Sequence, residues 1–228
     1  MYKKKSLWWE KSLNETNIIK SISKVVKYGN ISTAKKTTEF ENKIKNFLNV
    51  KNVITVSNGS MANLLLFLAI GLKAGDEIII PNTGWISIIN TCKIMNLKPV
   101  IVDLESSRPL LDIKNIEKFI SKKTKVIFPV YMNGRKIDLS KIKRICKRRG
   151  IFLIEDAAQS FGVKFKNKYL GTIGDAGIFS TSITKIFTTG LGGFICTNNN
   201  RLAKKIYEMR RHGFSDIKNI RNWSKFGG

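Results

Sequence analysis

Three short segments carry residue types that could bind and transform a small molecule. Gly59 and Ser60 separate a β-branched run from a helix-like stretch, and the free N–H groups at a helix start favour phosphate binding. Asp156 ends an apolar run, where a carboxylate can hold a cationic nitrogen of a ligand in its protonated form. Lys185 lies among small and hydroxyl residues, and a partly desolvated lysine can form a Schiff base. The ordinary alternatives are an N-cap serine, a turn-capping carboxylate and one surface lysine among 32.

Single residues of other types narrow the chemistry further. Trp85 follows the run that ends at Pro81 and could stack on a flat ring, although a core position is the ordinary alternative. His212 is the only histidine, which excludes a multi-histidine metal site and a histidine-based triad. The three cysteines are too few and too scattered for a disulfide framework or a zinc site (Cys92, Cys146 and Cys196). We therefore expect no metal site, and reduced, buried thiols of a cytoplasmic protein.

The composition is that of a globular protein with one abnormal value, the net charge. Of the 228 residues, 43% are hydrophobic and 25% are charged, and the formal net charge is +25. Such a charge suggests an anionic partner, including nucleic acid. Lysine outnumbers arginine by 32 to 9, however, and base recognition favours arginine. With 32 isoleucines and 20 asparagines, the bias indicates an AT-rich genome, so nucleic-acid binding is the less favoured alternative.

No segment predicts a membrane span or a signal peptide. The longest apolar stretch, Leu64–Leu72, is far shorter than the roughly 18 residues that a span needs. The basic start, Met1–Lys5, is followed by no apolar h-region. We therefore expect a cytoplasmic protein that has no membrane partner.

The elements that must position the candidate residues alternate between short apolar runs and longer periodic stretches. Because the runs are apolar throughout, they predict strands buried on both faces of a mostly parallel sheet built from βαβ units. The predicted strands are Val53–Val56, Glu77–Ile80, Val100–Val102, Lys125–Phe128, Ile151–Ile154, Ala176–Ser180 and Gly193–Thr197, with a hairpin over Lys164–Tyr169. The predicted helices are Met61–Leu72, Ile86–Met95, Ile113–Ile120, Leu139–Arg149 and Arg201–Arg211.

Four loops follow the carboxyl ends of these predicted strands. Ligands bind at that edge of a parallel sheet, so the loops form the expected site. They are Ser57–Ser60, Pro81–Trp85, Pro129–Gly134 and Asp156–Gly162, and all are rich in polar or aromatic residues.

The order of these segments resembles the DegT/DnrJ/EryC1/StrS family of pyridoxal-phosphate-dependent sugar aminotransferases. The matching segments are residues 56–62 (Val-Ser-Asn-Gly-Ser-Met-Ala), 75–81, 155–160 (Glu-Asp-Ala-Ala-Gln-Ser), 174–180 followed by Lys185, and 188–193 (Thr-Thr-Gly-Leu-Gly-Gly). The resemblance covers nearly the whole chain. It implies the α/β fold of the type I (aspartate aminotransferase-like) large domain, with a mostly parallel sheet flanked by helices.

The resemblance also implies a cofactor, pyridoxal 5′-phosphate, and a role for each matching residue. Lys185 would bind the cofactor covalently and then shuttle a proton, and Asp156 would pair with the nitrogen of its ring. The remaining contacts would come from Gln159 to the phenolic oxygen, from Trp85 stacked on the ring, and from Gly59, Ser60, Met61 and Ser180 to the phosphate.

The substrates implied by the resemblance are L-glutamate, which gives the amino group, and a keto sugar on a nucleotide carrier, which receives it, in a homodimer. Relatives that dehydrate sugars carry histidine in place of the lysine, so Lys185 argues against that branch. The turn Thr188–Gly190 is similar to that of perosamine-synthase-like members, which aminate C4 of a GDP-linked 4-keto-6-deoxy sugar. Amination at C3 and a TDP or UDP carrier stay open.

Three departures from the family pattern stand out. Ser60 stands where threonine is common, and Leu191 stands where glutamate or glutamine is often seen. The chain ends at Gly228, on the order of 100 residues before the family's small C-terminal domain would be complete. We therefore expect an N-terminal arm and helix over 1–30, the cofactor-binding domain over 31–213, and over 214–228 the start of a connection to an absent domain. An inactive truncated remnant of such an enzyme is the main alternative function.

Overall fold

The computed structural model describes residues 15–29 and 35–213. Their α-helices are α1 (Glu15–Lys27), α2 (Lys35–Leu48), α3 (Gly59–Ile70), α4 (Ser87–Ile94), α5 (Ser140–Arg149) and α6 (Asn200–Arg210). Their strands are β1 (Asn52–Val56), β2 (Glu77–Pro81), β3 (Lys98–Val102), β4 (Leu104–Glu105), β5 (Arg108–Leu111), β6 (Thr124–Ile127), β7 (Phe152–Asp156), β8 (Lys164–Phe165), β9 (Lys168–Tyr169), β10 (Ala176–Ser180) and β11 (Gly193–Thr197).

A seven-stranded sheet lies at the centre of the described part of the chain, in the order β1-β11-β10-β7-β6-β2-β3. The neighbours from β10 to β3 pair in parallel, whereas β11 runs antiparallel to both β1 and β10. The remaining short strands form two hairpins, β4 with β5 and β8 with β9. The mostly parallel α/β sheet and the hairpin over residues 164–169 are thus confirmed.

Both faces of the sheet are buried, as the uniformly apolar runs predict. Successive side chains of a strand point to opposite faces. Ile79 of β2 packs in a cluster with residues of α2 and α5, whereas its neighbours Ile78 and Ile80 pack with residues of α3, α4 and α6. Helices therefore cover the sheet on both sides, and the loops at the strand ends are left to form a site.

Two predicted elements differ in the structure, and α2 and the β4–β5 hairpin have no counterpart among the predicted elements. The helix expected over Ile113–Ile120 is a single 3₁₀ turn, Ile116–Phe119, because the Asp112 carboxylate accepts the N–H of Lys114 and offers the backbone a turn instead of a helix. The strand expected at residue 100 begins at Lys98 and includes Pro99, which an edge strand tolerates.

The predicted domain division stays a prediction. Helix α1 falls within the expected arm, and none of its residues is buried. Residues 1–14, 30–34 and 214–228, where both boundaries and the expected connection fall, lie outside the described residues.

Candidate active site

Six of the seven strands of the central sheet, all except β11, bring their carboxyl ends to one edge. The loops that follow β1, β2, β7 and β10 therefore lie at this edge. A cavity of about 430 Å³ opens at this edge. The residues lining it include all eight that the sequence predicts for the site: Gly59, Ser60, Met61, Trp85, Asp156, Gln159, Ser180 and Lys185. The roles assigned to them stay predictions.

The start of α3 presents N–H groups to this cavity. The first bond of the helix runs from the Ala62 N–H to the Asn58 carbonyl, so the three N–H groups before it have no acceptor within the helix. The Asn58 side chain caps the helix by accepting the Met61 N–H at 2.8 Å. The N–H groups of Gly59 and Ser60 remain, and we call this pair the phosphate seat. Met61, predicted to share in phosphate binding, already donates its N–H to Asn58.

Two glycines allow the phosphate seat to lie close against the sheet. A Cβ at Gly193 of β11 would come within 2.8 Å of the Gly59 nitrogen and 2.7 Å of the Phe179 carbonyl oxygen. A Cβ at Gly59 would come within 3.2 Å of the Ser180 Cβ. The missing side chains therefore bring the start of α3 next to Ser180 at the end of β10.

Asp156, at the end of β7, is half-buried and has one hydrogen-bond donor among the described residues. Its Oδ1 accepts the Ala158 N–H at 3.0 Å. Burial raises the pKa of Asp156 above its usual value, and the Ala158 N–H and the charge of Lys185 oppose this rise. The carboxylate is thus short of partners in a cavity that also contains a cation.

A threonine clasp holds the loop that presents Lys185. The hydroxyls of Thr181 and Thr189 lie 2.7 Å apart, and the Thr189 N–H donates to the Thr181 carbonyl at 3.0 Å. The Thr188 hydroxyl donates to the same carbonyl at 3.1 Å. Within the closed loop the Lys185 N–H donates to the Ser182 carbonyl, and the lysine side chain is half-buried. None of the described carboxylates lies within ion-pair distance of Lys185.

Glu155, the neighbour of Asp156, lies on the other side of the strand and is fully buried. It accepts the Tyr131 hydroxyl, the Gly171 N–H at 2.9 Å, and the Ile173 and Gly174 N–H groups at 2.6 Å each. Burial raises the pKa of Glu155, and these donors oppose the rise. Glu155 therefore fastens the turn at 171–174 to β7. We call these five residues the Glu155 cluster.

Gln159 and Trp85 stand at the edges of the cavity. The Gln159 Oε1 accepts the Asn133 N–H at 2.9 Å, which fixes the amide and leaves its NH₂ group as the available donor. Trp85 is 67% exposed, so it is not a core residue. The open position of the indole agrees with the stacking alternative from the sequence.

Several further residues line the cavity that the sequence analysis did not single out as site residues: Asn58, Asn63, Ser87, Ser182, Thr184 and Leu191. Asn58 could have been found as an Asn before Gly-Ser at a helix start, which is an N-cap signal. Asn63 could have been found as the one polar residue in the otherwise apolar stretch Met61–Leu72. The others depend on tertiary proximity and carry no local signal.

The ranges 15–29 and 35–213 were also compared with the requirements of a metal-binding cluster and of a membrane-spanning helix. No group of three or more His, Cys, Asp or Glu side chains there could hold a metal ion. No helix in these ranges has the length and apolar content to cross a membrane. The three cysteines are buried and form no disulfide, and burial raises the pKa of the Cys92 thiol to about 11.

Comparison with known proteins connects this chain to one family. A sequence model described as the DegT/DnrJ/EryC1/StrS aminotransferase family matches residues 13–228. Among curated relatives, GDP-perosamine synthase of Escherichia coli O157:H7 is 37% identical over 78% of this chain and 49% of its own length. UDP-4-amino-4-deoxy-L-arabinose–oxoglutarate aminotransferase of Shewanella sediminis is 32% identical over 86% of this chain and 50% of its own length. The chain thus spans about half the length of these relatives.

Solved structures have the same fold. NtdA of Bacillus subtilis, with bound cofactor PMP, matches with a TM-score of 0.85 at 30% identity, over 94% of this chain and 48% of that chain. GDP-4-keto-6-deoxy-D-mannose-3-dehydratase of E. coli, with bound hydrated PLP, matches with a TM-score of 0.81 at 28% identity, over 92% of this chain and 55% of that chain. The expected fold is therefore confirmed.

Proposed function

The chain belongs to the DegT/DnrJ/EryC1/StrS aminotransferase family, a family that uses pyridoxal phosphate, and on that premise we propose what it does. It binds pyridoxal phosphate in the cavity and contributes the residues that move an amino group from L-glutamate to a keto sugar of a nucleotide sugar. The observation that carries the proposal is the convergence of the phosphate seat, Asp156 and Lys185 in one cavity of about 430 Å³.

The residues present fit the cofactor in charge and in hydrogen-bonding groups. The phosphate seat supplies N–H donors and the positive end of the α3 dipole to a phosphate. Asp156 offers a carboxylate short of donors to a protonated ring nitrogen, and Lys185 offers an amine to an aldehyde. When bound, pyridoxal phosphate supplies an electron sink for negative charge at the carbon that carries the amino group.

The chemical work of the chain is divided between two charged side chains. Asp156, ionised and paired with the ring nitrogen, keeps that nitrogen protonated. Lys185 would hold the cofactor through its Nζ, and the free Nζ would accept the proton from the substrate carbon and return it. The threonine clasp fixes the base of the loop, so Lys185 keeps its place facing the cavity.

The other lining residues orient the ring. The NH₂ group of Gln159, left free by the Asn133 contact, would donate to the phenolic oxygen, and Trp85 would stack on the ring. The Ser180 hydroxyl, beside Gly59, joins the N–H donors at the phosphate. Met61 contributes the wall of the cavity with its side chain, since its N–H is held by Asn58.

The substrates follow from the names of the relatives. One curated relative is a GDP-perosamine synthase, and another pairs a UDP-linked amino sugar with oxoglutarate, the keto counterpart of glutamate. The two names differ in the nucleotide, so the proposal stops at a nucleotide-linked keto sugar.

We also propose that the chain acts as a homodimer in the cytoplasm. Large apolar side chains on or beside the lining segments are about half exposed or more: Trp85, Ile86, Ile183, Ile186 and Leu191. Exposed apolar groups clustered at a cavity suit a protein partner, and a second copy is the one we propose. The three unpaired buried cysteines favour a reducing compartment.

Reductive trapping tests the cofactor assignment directly. The full chain is mixed with substoichiometric pyridoxal phosphate, reduced with borohydride and digested, and the labelled lysine is identified by mass spectrometry. We expect one dominant label at Lys185, because the cavity holds the phosphate and the ring beside that amine. Label spread over many of the 32 lysines would contradict the proposal. Lys164→Ala, which removes a lysine on the β8–β9 hairpin, is the matched control and should leave the label at Lys185 unchanged.

Transfer of the amino group to a nucleotide-linked keto sugar distinguishes an active aminotransferase from an inactive remnant. A chain that accepts the amino group from glutamate and passes it to a nucleotide-linked keto sugar is an enzyme. A chain that binds the cofactor and completes neither transfer is the inactive form.

A further inference from the structure

Asn63 is a buried polar side chain in the cavity wall that none of the assigned roles uses. It lies on α3 among apolar neighbours and is 2% exposed. Its Nδ2 donates to the Ser87 Oγ at 3.3 Å, whereas its Oδ1 is buried and has no hydrogen-bond partner among the described residues. Buried amide groups are nearly always paired, so the unpaired end of Asn63 requires an explanation.

The position of Asn63 connects it with the phosphate seat. Residues three and four apart share one face of a helix, so Asn63 stands on the same face as Gly59 and Ser60. Side chains of a helix lean toward its N-terminus, which directs the amide toward the seat. Ser87 is the first residue of α4 and follows Trp85 by two positions. The Asn63–Ser87 pair therefore links the phosphate-binding end of α3 to the segment that carries Trp85.

The pair can satisfy an anionic oxygen and leave no polar group unpaired. A half turn of an amide exchanges its oxygen and nitrogen, and a serine hydroxyl can donate as well as accept. After that turn the Asn63 Oδ1 lies next to Ser87 and accepts its hydroxyl hydrogen. The Nδ2 then lies at the former position of Oδ1, and one of its hydrogens has no acceptor. A donor at that position, beside the positive end of α3, matches a phosphate oxygen.

We propose that Asn63, oriented by Ser87, is an additional binding residue for the phosphate group of pyridoxal phosphate. This inference rests on the proposed function, since it assumes that the cofactor phosphate occupies the seat. It adds a side-chain donor to a site that otherwise depends on backbone N–H groups and serine hydroxyls. The bound phosphate supplies the partner that the buried amide lacks.

Equilibrium binding of two forms of the cofactor tests the proposal. The full chain and Asn63→Leu, which keeps the branched shape and removes the amide, are titrated with pyridoxal phosphate and with pyridoxal, and binding is followed by tryptophan fluorescence. We expect Asn63→Leu to weaken pyridoxal phosphate binding about tenfold, the value of a hydrogen bond to a charged group. Pyridoxal, which lacks the phosphate, should bind both proteins equally.

Further variants separate this effect from general damage. Ser87→Ala should shift the affinity for pyridoxal phosphate in the same direction by a smaller factor. Asn63→Asp, which keeps the shape and adds a negative charge, should weaken it more than Asn63→Leu. Asn90→Leu, on the exposed side of α4, is the matched control and should change neither affinity. The thermal midpoint of Asn63→Leu should equal or exceed that of the unmodified chain, because a buried unpaired group is removed.

Three outcomes would overturn the assignment. The first is an Asn63→Leu protein that binds pyridoxal phosphate as tightly as the unmodified chain, and the second is an equal loss for pyridoxal. The third is a selective loss of GDP binding with the cofactor affinity unchanged, which would assign the amide to a nucleotide diphosphate. Failure of the unmodified chain to bind pyridoxal phosphate would overturn the proposed function, and this inference with it.

Discussion

Glu155 and Asp156 are consecutive carboxylates on β7, yet their surroundings are opposite. Glu155 accepts hydrogen bonds from four donors, all of them within the Glu155 cluster. The Asp156 carboxylate accepts one described N–H, from Ala158, and Asp156 lines the cavity that also contains Lys185. Neighbouring carboxylates on one strand thus have different roles. The one with several hydrogen-bond donors stabilises the fold, and the one with a single donor is available to a ligand.

Asp156→Asn should give the largest effect on the cavity side. We expect the glutamate-dependent conversion to slow by about 10³-fold, because the neutral amide no longer keeps the ring nitrogen protonated. The fold should survive, since the amide oxygen can still accept the Ala158 N–H. Single-turnover absorbance measures the rate, and Asp103→Asn, at an exposed position, is the control. An unchanged rate in Asp156→Asn would remove the carboxylate from the mechanism.

Glu155→Ala should give the largest effect on the fold side. The change leaves the Tyr131 hydroxyl and three backbone N–H groups without their acceptor, so the free energy of unfolding should fall by about 3 kcal/mol. Urea denaturation measures the loss. A stability equal to that of the unmodified chain would mean that the Glu155 cluster does not hold the turn at 171–174.

Tyr131→Phe sharpens the comparison by removing one donor from the Glu155 cluster. The ring stays packed and Glu155 keeps its three N–H donors, so the free energy of unfolding should fall by only about 1 kcal/mol. The affinity for pyridoxal phosphate should not change, because the hydroxyl lies on the side of β7 away from the cavity. A selective loss of cofactor binding would contradict the separate roles of the Glu155 cluster and the cavity on the two sides of β7.

The smallest effect concerns the pH dependence of stability in the cofactor-free chain. Burial raises the pKa of Asp156 in the folded state, so the folded chain keeps a proton that the unfolded chain releases. The stability contributed by Asp156 is therefore greatest below the unfolded pKa of about 4 and falls as the pH rises through the folded pKa. Asp156→Asn lacks this fall, so relative to the unmodified chain it should gain stability between pH 4 and pH 8. Denaturation at these two pH values measures the difference, and a relative loss would contradict the sign.

The sheet could be predicted because its strands are short apolar runs bounded by turn residues. Ile78–Ile80 is apolar throughout, and the structure buries it from both faces. The same logic failed at residues 113–120, where a side-chain oxygen of Asp112 competes with the helix. Because this competition depends on local hydrogen bonding, it does not change the apolar pattern from which the helix was predicted.

The candidate site could be predicted only as isolated residues joined by a family resemblance. Nothing local places Lys185 opposite Asp156, since the loop between β10 and β11 is closed by hydrogen bonds between threonines eight residues apart. The pairing of the Asn63 amide could not be predicted either, because its Nδ2 bonds to Ser87, 24 residues along the chain, and its Oδ1 has no partner among the described residues. Distances between segments, not residue types, were the missing information.

The most direct test of the central claim is an absorbance spectrum of the full chain with pyridoxal phosphate, taken before and after L-glutamate. We expect a visible band that requires Lys185 and that glutamate converts to the spectrum of the amine form of the cofactor. Lys185→Ala should lack both the band and the conversion. A folded chain that binds the cofactor and shows the same spectra with and without Lys185 would contradict the assignment of this cavity as the amino-transfer site.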